Sequence, residues 1–247
     1  MQIFDAHFHI IDSRFPLIVN QGFMPDDFTC EDYLDRVKDF NVIGGAIVSG
    51  SFQGFDQSYL INALQTLGEH FVGVTQLPDD TSDEEIMRLH QLGVRAIRFN
   101  VKRGVLKDLS RLDYMARRVY ELVGWHSELY IDSASLVHFT KIVENLPAVS
   151  IDHLGLTKEG FYTLLALVEK GVRVKATGFG RVELNVEEAL RKIFSVNPDA
   201  LMFGTDLPST RAKRPFQTSD MELIYDVLGD EGAKKVFYKN AINWYKI

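Results

Sequence analysis

The sequence predicts an α/β fold, a parallel (β/α)8 barrel, as one domain over residues 1–247. Three observations predict it. Short apolar runs alternate with amphipathic stretches about eight times. Glycines recur where a helix should give way to the next strand. Chemistry-capable residues collect at the C-terminal ends of the apolar runs, where barrels of this class build their sites. The chain has 247 residues, 46% hydrophobic and 25% charged, which suffices for one sizeable core.

The strands are expected at residues 3–9, 45–49, 71–77, 94–100, 129–132, 149–154, 172–177 and 201–206. Amphipathic segments at 31–40, 83–92, 109–123, 135–146, 158–170, 186–194 and 219–228 repeat apolar residues at helical spacing. Thr29, Ser82, Ser135, Thr157 and Asn185 stand where N-caps belong. Gly44, Gly93, Gly124 and Gly171 stand between helix and strand, where a C′ glycine belongs.

The formal net charge of −7 argues against nucleic acid or an anionic membrane as partner, since both require a basic face. No apolar run approaches the ~20 residues that span a bilayer. The first strand begins at once, without a basic-then-apolar leader. Cys30 is the sole cysteine, so no intrachain disulfide forms, and it reads as a small buried hydrophobe. A reducing cytoplasm is expected.

His7 and His9 share one face of the first strand, roughly 6.6 Å apart along it. Paired imidazoles so spaced can hold a divalent cation, or polarise a water or a carbonyl. Arg98 and Asn100 end the fourth run, Asp132 the fifth, His153 the sixth and Asp206 the eighth. Parity with Val149 and Ile151 would turn His153 inward, and parity with Ala96 would turn Arg98 inward. A buried guanidinium needs an anion and binds a carboxylate as a bidentate fork. Arg98 has no acidic partner in its own strand, so a substrate carboxylate is expected, with a structural ion pair as the alternative. Ser49 and Ser51 follow the second strand and could hydrogen-bond a ligand.

These residues carry a resemblance. Asp5-Ala6-His7-Phe8-His9 with Arg14-Phe15-Pro16-Leu17 is similar to the opening of the amidohydrolase-related (amidohydrolase 2) branch of the amidohydrolase superfamily. The segment 92–100, Ile151-Asp152-His153-Leu154-Gly155, Val174-Lys175-Ala176-Thr177-Gly178 with Arg181, Phe203-Gly204-Thr205-Asp206-Leu207-Pro208 and Tyr238-Lys239-Asn240-Ala241 resemble later segments of that branch in order. The nearest likeness is to 2-pyrone-4,6-dicarboxylate lactonase-like proteins and sugar lactonases. The resemblance implies that Asp206 takes a proton from the attacking water and that His153 contacts a metal or the scissile carbonyl. It also implies that Arg98, with Arg181 as a second candidate, holds a substrate carboxylate. It gives no role for Lys175.

One departure bears on cofactors. Metal-using members of the superfamily carry a histidine at the end of strand five, where this chain reads Leu129-Tyr130-Ile131-Asp132-Ser133. Strand four offers no lysine or glutamate as a bridging ligand, so no binuclear centre is expected. Two arrangements remain. A single divalent ion, zinc most readily, is held by His7, His9 and Asp206, with Asp132 or His153 assisting. Otherwise no metal is obligatory, the histidines polarise the carbonyl and Asp206 activates water. His70, His90, His126 and His138 read as surface or packing residues, and Lys102, Arg103 and Lys107 as a solvated loop face. The expected activity is hydrolysis of a lactone or cyclic ester bearing a carboxylate, with a small anionic molecule as partner. A metal-dependent decarboxylase of the same branch and a non-catalytic ligand-binding barrel are the alternatives.

Overall fold

The computed structural model describes residues 1–103 and 109–247. Eight parallel strands run in sequence order, β1 (Ile3–Phe8), β2 (Val42–Val48), β3 (Phe71–Thr75), β4 (Val94–Asn100), β5 (His126–Tyr130), β6 (Val149–Ile151), β7 (Arg173–Thr177) and β8 (Leu201–Gly204). The helices between them are α1 (Cys30–Val37), α2 (Ser58–Leu67), α3 (Asp83–Gln91), α4 (Leu109–Val123), α5 (Ser133–Val143), α6 (Phe161–Glu169) and α7 (Val186–Val196). After β8 follow α8 (Thr218–Lys234), a π-helical turn at Lys235–Lys239 and α9 (Asn240–Tyr245). This is the expected TIM barrel. Among the described residues no helix is long and apolar enough to cross a membrane.

Backbone bonds close the ring: the Asp206 N–H donates to the His7 carbonyl at 2.7 Å, and the His9 N–H to the Leu207 carbonyl at 2.8 Å. The buried Asp5 carboxylate reinforces the seam. It accepts from the Thr205 N–H (2.8 Å), the Thr205 hydroxyl (2.6 Å) and the Tyr33 hydroxyl (3.1 Å). Burial outweighs these bonds and lifts the Asp5 carboxyl to about 6.

The sheet has two faces. Ile47, Ile97, Leu129, Val174 and Phe203 point outward into the main apolar layer beneath the helices. Phe4, Ala6, Val48, Val74, Ala96 and Met202 fill the interior, with Ala241 and Tyr245 of α9 closing the end where the strands begin. Above Tyr245 the filling is ionic. Lys175 of β7 pairs with Glu128 of β5, and Glu128 also accepts from the Tyr245 hydroxyl at 2.6 Å and lies 3.1 Å from His126 Nε2. Burial opposes ionisation of Glu128, but the Lys175 ammonium prevails and holds its carboxyl down at about 2.

Several sequence expectations shift. β2 begins at Val42, so Gly44 lies inside the strand rather than at a helix end. A Cβ there would stand 2.3 Å from the His70 carbonyl oxygen. Gly93, Gly124 and Gly171 do take positive φ at helix ends. β5 begins at His126, because polar His126 and Glu128 face an interior that supplies their partners. His126 is therefore a buried member of the ionic cluster. Asp132 does not end β5; it caps α5 by accepting from the Ser135 N–H at 2.7 Å, in place of Ser135 itself. Gly160, not Thr157, precedes α6, while Thr29, Ser82 and Asn185 cap as expected. Helix α2 lacks a capping side chain at Gln57. Asp56, one residue earlier, receives the Ser58 N–H at 3.1 Å, so the usual signal is displaced. The segment expected to end at 228 meets a break at Gly229 (φ 66°, ψ 177°) before the helix resumes.

Lys175→Met would strand the Glu128 carboxylate in the barrel interior. It is expected to cost about 3–5 kcal/mol in urea unfolding, and adding Glu128→Gln should recover much of that loss. Equal losses in the single and double variants would show that Lys175 is not the compensating charge.

Candidate active site

Two irregularities bring the key side chains together. The β1–β2 register advances three residues on β1 from Asp5 to Phe8 but only two on β2, from Gly45 to Ile47. This bulge lets Ala6 and His7 both face inward, while Phe8 turns out to stack on Tyr33 at 3.8 Å. His7 and His9 then meet with ring centroids 5.1 Å apart. On β6, Val149 and Ile151 face the outer layer, so the parity expected for His153 does not hold. The inward residue is Asp152. His153 reaches the mouth because the strand has ended and the chain turns left-handed over 153–156 (φ 52°, 52°, 75° and 65°). Its ring lies 4.8 Å from that of His7 and 5.3 Å from Tyr130. Asp206 is two residues past β8 and also left-handed, φ 58°, a conformation Asp tolerates better than most residues.

The four expected catalytic candidates, His7, His9, His153 and Asp206, thus converge at the C-terminal mouth. The Asp206 carboxylate is fully buried. Its Oδ2 accepts from Arg181 Nε at 2.8 Å and from Arg181 Nη2. Its Oδ1 makes no hydrogen bond and lies 3.8 Å from His7 Nε2 and 3.7 Å from His9 Nε2. Burial would raise the Asp206 carboxyl, yet the Arg181 guanidinium holds it well below the usual carboxylate range. His9 Nδ1 donates to the Val48 carbonyl at 2.7 Å, which leaves Nε2 of the neutral ring bare. Burial pushes His7 down to about 4 and His153 well below its ordinary value, so both are neutral near pH 7.

Arg98 has a protein partner after all. Its Nη2 and Nε reach Asp152 Oδ2 at 2.7 and 3.2 Å, and its Nη1 reaches the Ser49 carbonyl at 2.7 Å. Asp152 follows β6, two strands from Arg98 in the barrel and outside the strand in which a partner was sought. Arg98 still lines the cleft, with its guanidinium 5.2 Å over the Tyr130 ring. The Ser49 hydroxyl is turned away, paired with Tyr59 at 2.6 Å, whereas Ser51 lines the cleft and bonds Asn20 at 3.0 Å. Asp132 pairs with Lys102 at 2.8 Å and stands apart from the histidines. Lys175 belongs to the ionic cluster below. His70 and His138 are exposed, and His90 accepts from Trp125 Nε1 at 3.1 Å as a packing residue. Cys30 is buried, as expected. Lys107 lies outside the described residues.

The cleft is lined by His9, Ser51, Arg98, Arg103, Tyr130, His153, Arg181 and Arg211, among others. Arg103 is therefore part of the mouth, not only a solvated loop. Arg211 is anchored to Asn20 and lies 4.4 Å over the Phe23 ring. Among the described residues neither Arg103 nor Arg211 has a carboxylate within ion-pair distance. Burial and the nearby Arg103 both lower the Arg211 guanidinium from its ordinary value. Asp152, Tyr130 and Arg211 escaped the sequence reading. Parity with Ser150 marks Asp152, position at the end of β5 marks Tyr130, and position in the loop after β8 marks Arg211.

Two triads could hold a cation, His7–His9–Asp206 and His7–Asp152–His153. The first fits better. Asp206 Oδ1, which accepts no hydrogen bond, lies within 3.8 Å of both Nε2 atoms, and the three ligand atoms are within 4.8 Å of one another. At the mouth end of β5, where the resemblance would place a further metal-binding histidine, stands Tyr130.

The family model described as Amidohydrolase matches residues 4–247. The chain belongs to the amidohydrolase family. This amidohydrolase is 27% identical over 239 residues to a 2-pyrone-4,6-dicarboxylate hydrolase of Comamonas testosteroni, covering 85% of this chain and 77% of that protein. It is 24% identical over 225 residues to a 4-sulfomuconolactone hydrolase of Rhizobium radiobacter, covering 83% and 75%. A solved candidate 2-pyrone-4,6-dicarboxylic acid hydrolase of Pseudomonas putida superposes with a TM-score of 0.85 at 25% identity, covering 99% of this chain and 97% of that one.

Folded His7 stays neutral down to about 4, while the unfolded residue takes its proton near 6.5. Stability tied to His7 is thus full above 6.5 and is lost as the pH falls toward 4. Relative to His7→Gln, the amidohydrolase is expected to lose roughly 2–3 kcal/mol between pH 7 and pH 4.5 in urea unfolding. Asp5 contributes the opposite slope, but equally in both proteins. A constant difference would show that folded His7 titrates normally.

Proposed function

We propose that this amidohydrolase opens a lactone or similar cyclic ester that bears an anionic group. The observation supporting this most directly is Asp206 Oδ1, a buried carboxylate oxygen without a hydrogen bond, aimed at two imidazole nitrogens beside a cationic cleft. The curated relatives are hydrolases of a pyrone dicarboxylate and a sulfomuconolactone, both anionic by name.

In this reading a water sits against Asp206 Oδ1 and the bare Nε2 atoms of His7 and His9. Asp206 accepts its proton as the oxygen attacks the carbonyl carbon. Arg181 keeps Asp206 ionised but also makes it a weak base, so the carbonyl must be polarised as well. His153 lines the cleft, and the one N–H of its neutral ring is the donor proposed for the developing oxyanion. The ring C–O bond then breaks, and the leaving oxygen takes up the proton. Arg103 and Arg211, which have no carboxylate partner among the described residues, are the groups proposed to pair with the substrate's anionic group. A divalent ion held by His7, His9 and Asp206 would supply Lewis-acid activation at this point.

The test is a panel of lactones, with and without an anionic substituent, assayed with and without chelator. Ring opening of anionic lactones without carbon dioxide release is expected. Asp206→Asn should cut turnover by roughly 10²-fold or more in a folded protein. Arg211→Met should lower kcat/KM about tenfold for an anionic lactone and much less for a neutral one. Turnover that survives chelation would assign carbonyl polarisation to the histidines alone. Carbon dioxide release, or a near-normal Asp206→Asn protein, would overturn the reading.

A further inference from the structure

We propose that Asp152 sets the position of the proton on His7, so that His7 presents a bare Nε2 to Asp206. Asp152 is fully buried, with its oxygens turned to Arg98 and to His7, so it acts through His7 as a positioning residue. Its two oxygens have different duties. Oδ2 receives both Arg98 nitrogens, at 2.7 and 3.2 Å. Oδ1 has no hydrogen bond within the usual limits, and it faces His7 Nδ1 at 3.5 Å. The opposite ring nitrogen, Nε2, stands 3.8 Å from Asp206 Oδ1.

A neutral imidazole has one proton for these two oxygens. With the proton on Nδ1, Asp152 Oδ1 gains the donor that the geometry offers it. Asp206 Oδ1, which Nε2 of both His7 and His9 face, then receives whatever donor enters the site. With the proton on Nε2, Asp152 Oδ1 is left as a buried charged oxygen without a donor, a costly arrangement. Arg98 contributes by occupying Oδ2, which leaves Oδ1 as the oxygen available to His7. The sequence expectation that assigned Arg98 to a substrate anion therefore acquires a second duty inside the protein.

This assignment deepens the hydrolase reading, but the decisive spectrum needs no substrate, so the two stand or fall separately. The long-range 1H–15N spectrum of histidine-labelled protein at pH 7 reports the tautomer of each ring. His9→Gln and His153→Gln spectra identify the His7 signals. The wild type is expected to show His7 protonated on Nδ1 and bare on Nε2. Asp152→Asn keeps an oxygen for Arg98 and turns an NH2 toward Nδ1, so the proton should move to Nε2. Turnover should fall about 10- to 100-fold, the usual range for a residue that orients a site ligand, with KM little changed. A wild-type His7 protonated on Nε2, or on both nitrogens, overturns the proposal whether or not the variant folds. An unmoved proton in folded Asp152→Asn also overturns it. A moved proton with unchanged kcat removes the catalytic role.

Discussion

The seam between the first and last strands governs this molecule. A barrel of eight strands exists only if β8 finds β1, and here the join is made by Asp206 N–H to the His7 carbonyl and by Thr205 to the Asp5 carboxylate. The same few residues supply the candidate chemistry. Closure of the fold and assembly of His7, His9 and Asp206 are thus one event. Gly204 shows how tight the join is, since a Cβ there would lie 2.7 Å from the His7 backbone nitrogen. A side chain at that position would push apart the groups that the seam unites.

The interior is unusual in its charge. Glu128 with Lys175, Asp152 with Arg98 and Asp206 with Arg181 form three buried ion pairs. Each carboxylate would be intolerable alone and each is held ionised by its cation. Buried pairs of this sort contribute little net stability compared with apolar packing. They hold direction instead: each cation fixes one oxygen of its carboxylate, leaving Asp152 Oδ1 and Asp206 Oδ1 aimed at the imidazole between them.

Much of this could be read from the chain. Alternating apolar and amphipathic segments reported the barrel, because burial of both sheet faces imposes that pattern. Polar residues ending apolar runs reported the mouth, because a barrel's catalytic end is where its strands stop. What stayed hidden was nonlocal. The β1 bulge changes parity by one residue, and neither Ala6 nor His7 announces it. Parity turned Asp152 outward and His153 inward, whereas Val149 and Ile151 face the outer layer, Asp152 points inward, and His153 reaches the mouth only through the left-handed turn after β6. The strand expected at 129–132 left out His126 and Glu128, whose interior partners are distant in sequence: Lys175 and Tyr245 lie 47 and 117 residues from Glu128. Arg98 looked free because its counterion lies 54 residues away.

The left-handed run at 153–156 has a consequence for transplantation. Gly155 is in van der Waals conflict with any side chain, as a Cβ would stand 2.1 Å from the Ser133 hydroxyl, and Leu154 is entirely buried. The histidine is therefore presented by a rigid corner keyed into the start of α5. A designer who copied only the mouth residues onto another eight-stranded scaffold would obtain the right functional groups in the wrong directions. The portable unit is larger: the corner, the residue it rests on and the ion pair beneath it travel together or not at all.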